Sequence, residues 1–308
     1  MSSERATRVA TTGKRTGVLS TASAFVLWGF FPLYLRPLHT VETVEIIASR
    51  IAWSCVFVLI WLGWRRELSV LRETLGNRRV MARLCLTAAL VTCNWLIYVW
   101  AVGHGRVVES SLGYFINPLV NVLLGTALLG ERFNRVQWLA IAIAALGVVH
   151  LTVASGSLPW IPLGLALSFG LYGLVRKVVQ IESLPALGVE TLLLMPLALG
   201  YLFWAHSRGT LSFGHSGRLI DVMLIGSGPF TATALFLFAH GARRIPYATV
   251  GVLQYITPTL QLLCGLLVFR ESFQSYRILG FSIIWVGLLV YATDGLWRAR
   301  MLRQRLAA

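Results

Sequence analysis

Apolar stretches alternate with short polar or charged segments along nearly the whole chain. A stretch of about 20 mostly apolar residues is long enough to cross a bilayer as a helix. Ten such stretches lie near 17–36, 44–64, 80–101, 107–129, 136–152, 158–176, 186–205, 219–241, 246–268 and 274–293. In hydrocarbon each backbone donor and acceptor needs an internal partner, so such stretches predict helices. The expected fold is an all-α membrane protein of ten transmembrane helices. A polar tail over 1–16 precedes them, and a basic tail over 296–308 follows.

Composition agrees with this pattern. The chain has 308 residues, 56% of them hydrophobic and only 13% charged. Soluble domains carry about 25% charged residues, and disordered chains need low hydrophobicity. The net charge of +15 would suit a nucleic-acid partner, but the arginines gather between apolar runs. Basic cytoplasmic loops of a membrane protein give that distribution, so a lipid bilayer is expected and nucleic acid is not. With the N-terminus inside, the inner segments hold 20 lysines and arginines. The outer ones hold six: Arg36, Arg106, Arg208, Arg218, Arg270 and Arg277. Both termini are therefore expected in the cytoplasm, with the chain in the inner membrane. The first span runs through Trp28, Phe30, Phe31 and Tyr34 with no small-residue cleavage site, so it reads as a retained helix rather than a signal.

The chain also resembles itself. At an offset of 140 residues, Ile116, Pro118, Leu123, Gly125, Glu131, Phe133, Leu139, Ile143 and Gly147 meet identical residues at 256, 258, 263, 265, 271, 273, 279, 283 and 287. At an offset of 141, Trp28, Gly29 and Arg36 fall on Phe169, Gly170 and Lys177. This divides the chain into halves of five spans, 17–152 and 153–295. Five is odd, so the second half enters the membrane in the opposite sense. Inverted repeats are a recurring plan of secondary transporters.

The stretches NWLIYVWAVGHGRVVESSLGYFINPLVNVLLG (94–125), GERFNRVQWLAIAIAALGV (130–148) and LQYITPTLQLLCGLLVFRESF (253–273) resemble the EamA-type drug/metabolite transporters. With LPWIPLGLALSFGLYGLVRK (158–177), they are most similar to the RarD subgroup, whose members are often labelled chloramphenicol-sensitivity proteins. The resemblance runs from about residue 17 to 295. It implies a ten-helix bundle around a central cavity and the movement of small metabolites or drugs.

The repeated prolines carry the first site expectation. Pro118 and Pro258 lie near the middle of the fourth and ninth spans. Each removes a donor and frees the carbonyl four residues earlier, on Tyr114 and Gln254. Asn117, Asn121, Tyr255 and Thr257 cluster beside them. These residues form either a midplane solute site at the repeat interface or kinks whose polar groups bond neighbouring helices. Trp28 and Trp95 are candidate cavity walls for an aromatic or lipophilic solute, with lipid-facing bulk as the alternative.

Ionisable residues within spans form the second group. Arg50 sits inside the second span, with Glu45 and Glu109 at the same side of the membrane. Glu190 sits inside the seventh, towards the opposite side, with Arg243 and Arg244. Arg50, Glu109 and Glu190 are candidate gate or proton-relay residues, against a reading as static ion pairs. Glu131 and Glu271 stand at helix-to-helix turns, where a carboxylate takes amides at the next helix N-terminus.

No HExxH, CxxC, P-loop or GxSxG motif occurs, so no metal, cofactor or enzymatic activity is expected. The four cysteines lie inside apolar runs. The expected function is a secondary transporter or exporter of small solutes, amino acids or aromatic compounds among them, with no obligate protein partner. The alternative is a membrane-embedded sensor or enzyme without transport.

Overall fold

The computed structural model describes residues 2–129, 134–179, 181, 183–242, 244–245, 247–272 and 274–307, and among these the regular structure is all helical, with no strand. The helices are α1 (Ser2–Gly29), α2 (Phe31–Leu35), α3 (Thr43–Trp64), α4 (Leu68–Gly76), α5 (Arg78–Gly103), α6 (Val107–Leu129) and α7 (Arg135–Ser155). There follow α8 (Trp160–Val178), α9 (Ser183–Ser207), α10 (Arg218–Ala242), α11 (Tyr247–Leu253), α12 (Ile256–Leu263) and α13 (Ser275–Ala307).

Among the described residues seven helices are long and apolar enough to cross a membrane. They become eight if α1 and α2, bent by 42° at Gly29 and Phe30, form one span. The remaining apolar segments are shorter, over Trp160–Arg176 and Ile256–Val268. The chain is thus a multi-pass membrane protein. Two differences from expectation stand out. Helix α1 begins at Ser2 and α13 runs to Ala307, so the basic tails continue helices. The short helix α4 lies between the second and third spans, where only a polar loop was expected.

Local chemistry sets the ends. Asn77 caps α5 by accepting the amides of Arg79 and Val80, each at 3.2 Å. Asn134 and Gln137 form a capping box that starts α7. That helix stops at Gly156, whose φ of 66° is left-handed and favours glycine.

The tightest helix pairs are α7 with α13, α6 with α8, α3 with α9, α1 with α10, α3 with α10, and α5 with α8. Helix α12 packs against α1 and α6. Small residues let these backbones approach. A Cβ at Gly147 would lie 2.9 Å from the Gly280 carbonyl oxygen, and one at Gly287 would lie 2.8 Å from that of Ala140. Position numbers rise along α7 as they fall along α13, so this pair is antiparallel. The largest buried cluster joins α2, α3, α5, α8, α9 and α10 around Phe31, Ile47, Tyr98, Leu165 and Leu224.

Candidate functional site

Arg50 occupies the middle of that cluster. It lies seven residues into α3, about 10 Å along the helix axis, and is 5% exposed. Its Nε donates to Thr231 Oγ1 of α10 at 2.9 Å. Its guanidinium carbon lies 4.1 Å from the centre of the Trp95 ring and 4.7 Å from that of Phe31. Insertion of an arginine at mid-helix costs about 2.5–3.5 kcal/mol. A desolvated cation–π contact returns about 2 kcal/mol, so two of them offset that cost without a carboxylate.

Aromatic side chains enclose the cation. The ring of Phe31 lies 5.0 Å from that of Phe230 and 6.0 Å from that of Tyr98. Tyr98 meets Tyr114 edge-on at 5.8 Å, and Tyr34 packs on Phe230 at 5.1 Å. Their polar tips are held. Tyr34 donates to the Met223 carbonyl at 2.5 Å. Tyr114 donates to Asn94 Oδ1 at 3.2 Å, while Asn94 Nδ2 donates to the Leu165 carbonyl and to Ser168, each at 3.0 Å. Gln261 Nε2 donates to the Tyr98 hydroxyl at 3.1 Å and to the Trp28 carbonyl at 3.2 Å. This network ties α1, α5, α6, α8 and α12 to one centre. A cavity of about 390 Å³ lies between α2, α3 and α5, lined by Leu35, Glu42, Ile46, Val99, Trp100 and His104 among others. Ile46 and Val99 stand one helical turn from Arg50 and Trp95 on the same faces, so the cavity reaches to within a turn of the cage.

The acidic residues expected beside Arg50 are engaged elsewhere. Glu45, only 1% exposed, accepts the amides of Ser212 and Phe213 at 2.9–3.0 Å and so anchors the loop after α9. Glu109 pairs with Arg277 at 3.2 Å and with Arg106 at 3.7 Å. Among the described residues Arg50 makes no ion pair.

Glu190 is buried in α9 beside Thr87, Tyr172 and Arg176. Its Oε1 has no hydrogen-bond partner among the described residues. Arg244 donates to the His240 carbonyl rather than to Glu190, at 2.5 Å. Arg243 lies outside the described residues, as does Glu131. Glu271 caps a helix, though not the next one. Its carboxylate accepts the amides of Val107 at 2.5 Å and Val108 at 2.9 Å, at the start of α6. Burial raises its pKa above the ordinary value, and those two amides oppose the shift.

The proline-centred residues separate into groups. Helix α6 continues through Pro118. The ninth segment instead breaks at Gln254 and Tyr255 before α12 carries Pro258. Asn117 is fully buried, with neither amide atom bonded among the described residues. Asn121 is exposed, and a Cβ at Gly170 of α8 would sit 3.1 Å from its Oδ1. Thr257 donates to the Phe25 carbonyl at 2.8 Å. Tyr255 packs with the cluster of α6, α7 and α13, while Trp28 packs with Phe25 and Phe238. Gln254 is half-buried. Of the expected residues, then, Arg50, Trp95 and Tyr114 share one centre, and Trp28 joins it through its carbonyl. Phe31, Tyr34, Tyr98, Phe230 and Thr231 complete the cage and were not expected. The pairs Phe31/Tyr34 and Trp95/Tyr98, at i,i+3 on one helix face, are the sequence signal that points to them.

The sequence profile of the EamA-like transporter family matches twice, over residues 15–153 and 158–293. Uncharacterized transporter YojE of Bacillus subtilis is 44% identical over 281 residues, spanning 90% of this chain and 93% of its own. Protein RarD of Escherichia coli is 38% identical over 286 residues, spanning 93% and 97%. A solved structure described only as that of a protein has a similar fold, with a TM-score of 0.58 at 19% identity over 96% of this chain and 100% of that one. Two profile matches that together span most of the chain, and relatives this similar over their full length, place the chain in the EamA-like transporter family.

Proposed function

We propose that this chain is a secondary transporter that moves small organic solutes across the cytoplasmic membrane by alternating access. Its moving parts are two five-span halves, 17–152 and 153–295, inserted in opposite senses with both termini inside. The observation that carries this reading is the reciprocal packing of α7 and α13. Gly147 faces Gly280 and Ile284, while Gly287 faces Ala140 and Ala144. Adding 140 to one set of positions gives the other. Two-fold-related surfaces meet in this reciprocal way.

The rest of the bundle supports it. Exchanging each span for the one five places on turns the pair α1–α10 into α8–α5 and the pair α6–α8 into α12–α1, both observed. Arg50 and Glu190 are themselves 140 residues apart. They act in this reading as gate or proton-relay residues towards opposite faces, with Glu109 and its arginine partners outside Arg50. The solute binds between the halves, against Trp28, Trp95, Tyr114, Asn117, Pro118 and Asn121 of one and Gln254, Tyr255, Thr257 and Pro258 of the other.

The test is flux into proteoliposomes of labelled amino acids, small aromatic acids, amines and chloramphenicol, with and without a pH gradient. Saturable flux that is lost in Asn117→Ala/Gln254→Ala is the expected result. Flux whose pH dependence is unchanged in Glu190→Gln removes the relay role from that residue. Folded protein that carries none of these solutes favours a sensor or enzyme.

A further inference from the structure

We infer that Arg50 and its ring of aromatic side chains form a recognition site for the carboxylate of a small aromatic acid. This rests on the transport reading for its purpose but stands on its own geometry. Guanidinium keeps its charge in any protein setting and presents five N–H donors in a planar fork. One donor is committed, to Thr231. Trp95 and Phe31 lie against the cation, with its central carbon 4.1 and 4.7 Å from their ring centres. Among the described residues the other donors of the fork make no hydrogen bond or ion pair, which leaves them for a carboxylate held by two parallel bonds.

Two cation–π contacts hold the buried charge in place, but they leave it without the anionic partner that a buried arginine usually has. The two nearest candidates in the sequence are fully used. Glu45 is spent on the amides of Ser212 and Phe213, and Glu109 on Arg277 and Arg106. Among the described residues Arg50 therefore meets aromatic rings and one hydroxyl but no carboxylate. The remaining surroundings suit an aromatic body. Phe31, Tyr34, Tyr98, Tyr114 and Phe230 present ring faces and edges. Among the described residues no acidic side chain takes part in the cage, so an amine gains no counter-charge from them. The cavity lined by Ile46 and Val99 lies one helical turn from Arg50 and Trp95, on the side from which such an acid would approach.

The test is equilibrium binding to the full-length protein in nanodiscs, followed by calorimetry. The probes are phenylacetate, 2-phenylethanol and phenethylamine, which share a ring and chain length but differ in charge. Phenylacetate is expected to bind saturably, and roughly 10- to 100-fold more tightly than either of the others, the range of a charge-assisted contact. Arg50→Gln is expected to abolish that preference. Should Arg50→Gln fail to fold, Arg50→Lys keeps the charge and removes the fork, and is expected to weaken phenylacetate about tenfold. No phenylacetate binding, equal binding of the three probes, or a preference that survives in both variants overturns the inference, whether or not flux is found. Carboxylate-selective binding without flux of any solute leaves the site in place and overturns the transport reading instead.

Discussion

Replacing Gly147 and Gly287 by valine, singly and together, tests the contact between α7 and α13. At Gly147 an added Cβ lies 2.6 Å from Ile284 Cγ1 and 2.9 Å from the Gly280 carbonyl oxygen. At Gly287 it lies 2.8 Å from the Ala140 carbonyl oxygen and 3.1 Å from the Ala144 nitrogen. Heavy atoms in good contact stand about 3.5–4.0 Å apart. Each substitution therefore forces the helices apart by roughly 0.5–1 Å, because backbone cannot rotate out of the way. Overpacking on this scale costs about 1–3 kcal/mol. Valine's helix propensity exceeds glycine's by only about 0.3 kcal/mol, so it recovers little. The expected fall in Tm is roughly 2–4 °C per kcal/mol. One separation of the two helices relieves both clashes, so the double variant loses less than the sum of the single ones. The assay is thermal unfolding of purified protein in detergent, read by tryptophan fluorescence. An unchanged Tm in either single variant, or losses that add fully, refutes the reciprocal packing.

Three further outcomes follow from the buried polar contacts. Glu271→Ala leaves the Val107 and Val108 amides without their acceptor and lowers stability by about 1–2 kcal/mol in the same assay. Because burial raises the folded pKa of Glu271, the neutral form is favoured in the fold. Its contribution is complete below the ordinary glutamate pKa and is lost as pH rises through the raised value, so Glu271→Ala flattens the fall of Tm with pH between those two values. Glu45→Ala releases the loop over 208–217, which is expected to exchange its amide hydrogens faster while α3 stays protected. Asn94→Ala removes the acceptor of the Tyr114 hydroxyl and two bonds to α8. It is expected to lower Tm by an amount corresponding to about 1–3 kcal/mol.

The helices and the family were legible because a bilayer allows few alternatives. Apolar runs of the right length must be helical, and sequence segments such as 94–125 and 253–273 carry the family pattern without any folding information. The position of Arg50 along its helix was legible for the same reason, since a single charge in an apolar run has a countable place. Its surroundings were not. Phe31, Trp95 and Thr231 come from α2, α5 and α10, and only tertiary packing brings them to one guanidinium. Proximity in depth suggested Glu45 and Glu109 as partners, yet both meet stronger claims. Glu45 reaches backbone amides 167 residues away, and Glu109 an arginine in α13. Glu271 shows the same limit. Its sequence position predicts a cap on the following helix, and the fold gives it to α6. The unlike fates of Pro118 and Pro258 were equally hidden, because two similar Pro-centred segments sit against different neighbours. Thr257 is drawn to the Phe25 carbonyl of α1, while Asn117 has no such bond among the described residues.

The measurement that bears most directly on alternating access by inverted halves uses two cysteines related by the repeat. Ile46 lines the cavity near Arg50, and Ala186 lies 140 positions on, in α9. In a background with Cys55, Cys85, Cys93 and Cys264 replaced, Ile46→Cys and Ala186→Cys are labelled in oriented vesicles with an impermeant maleimide. The account predicts labelling from opposite faces, and in the double variant a label placed from one face slows reaction from the other, since opening one end closes its counterpart. Labelling of both from one face, or rates that are independent of each other, would contradict it.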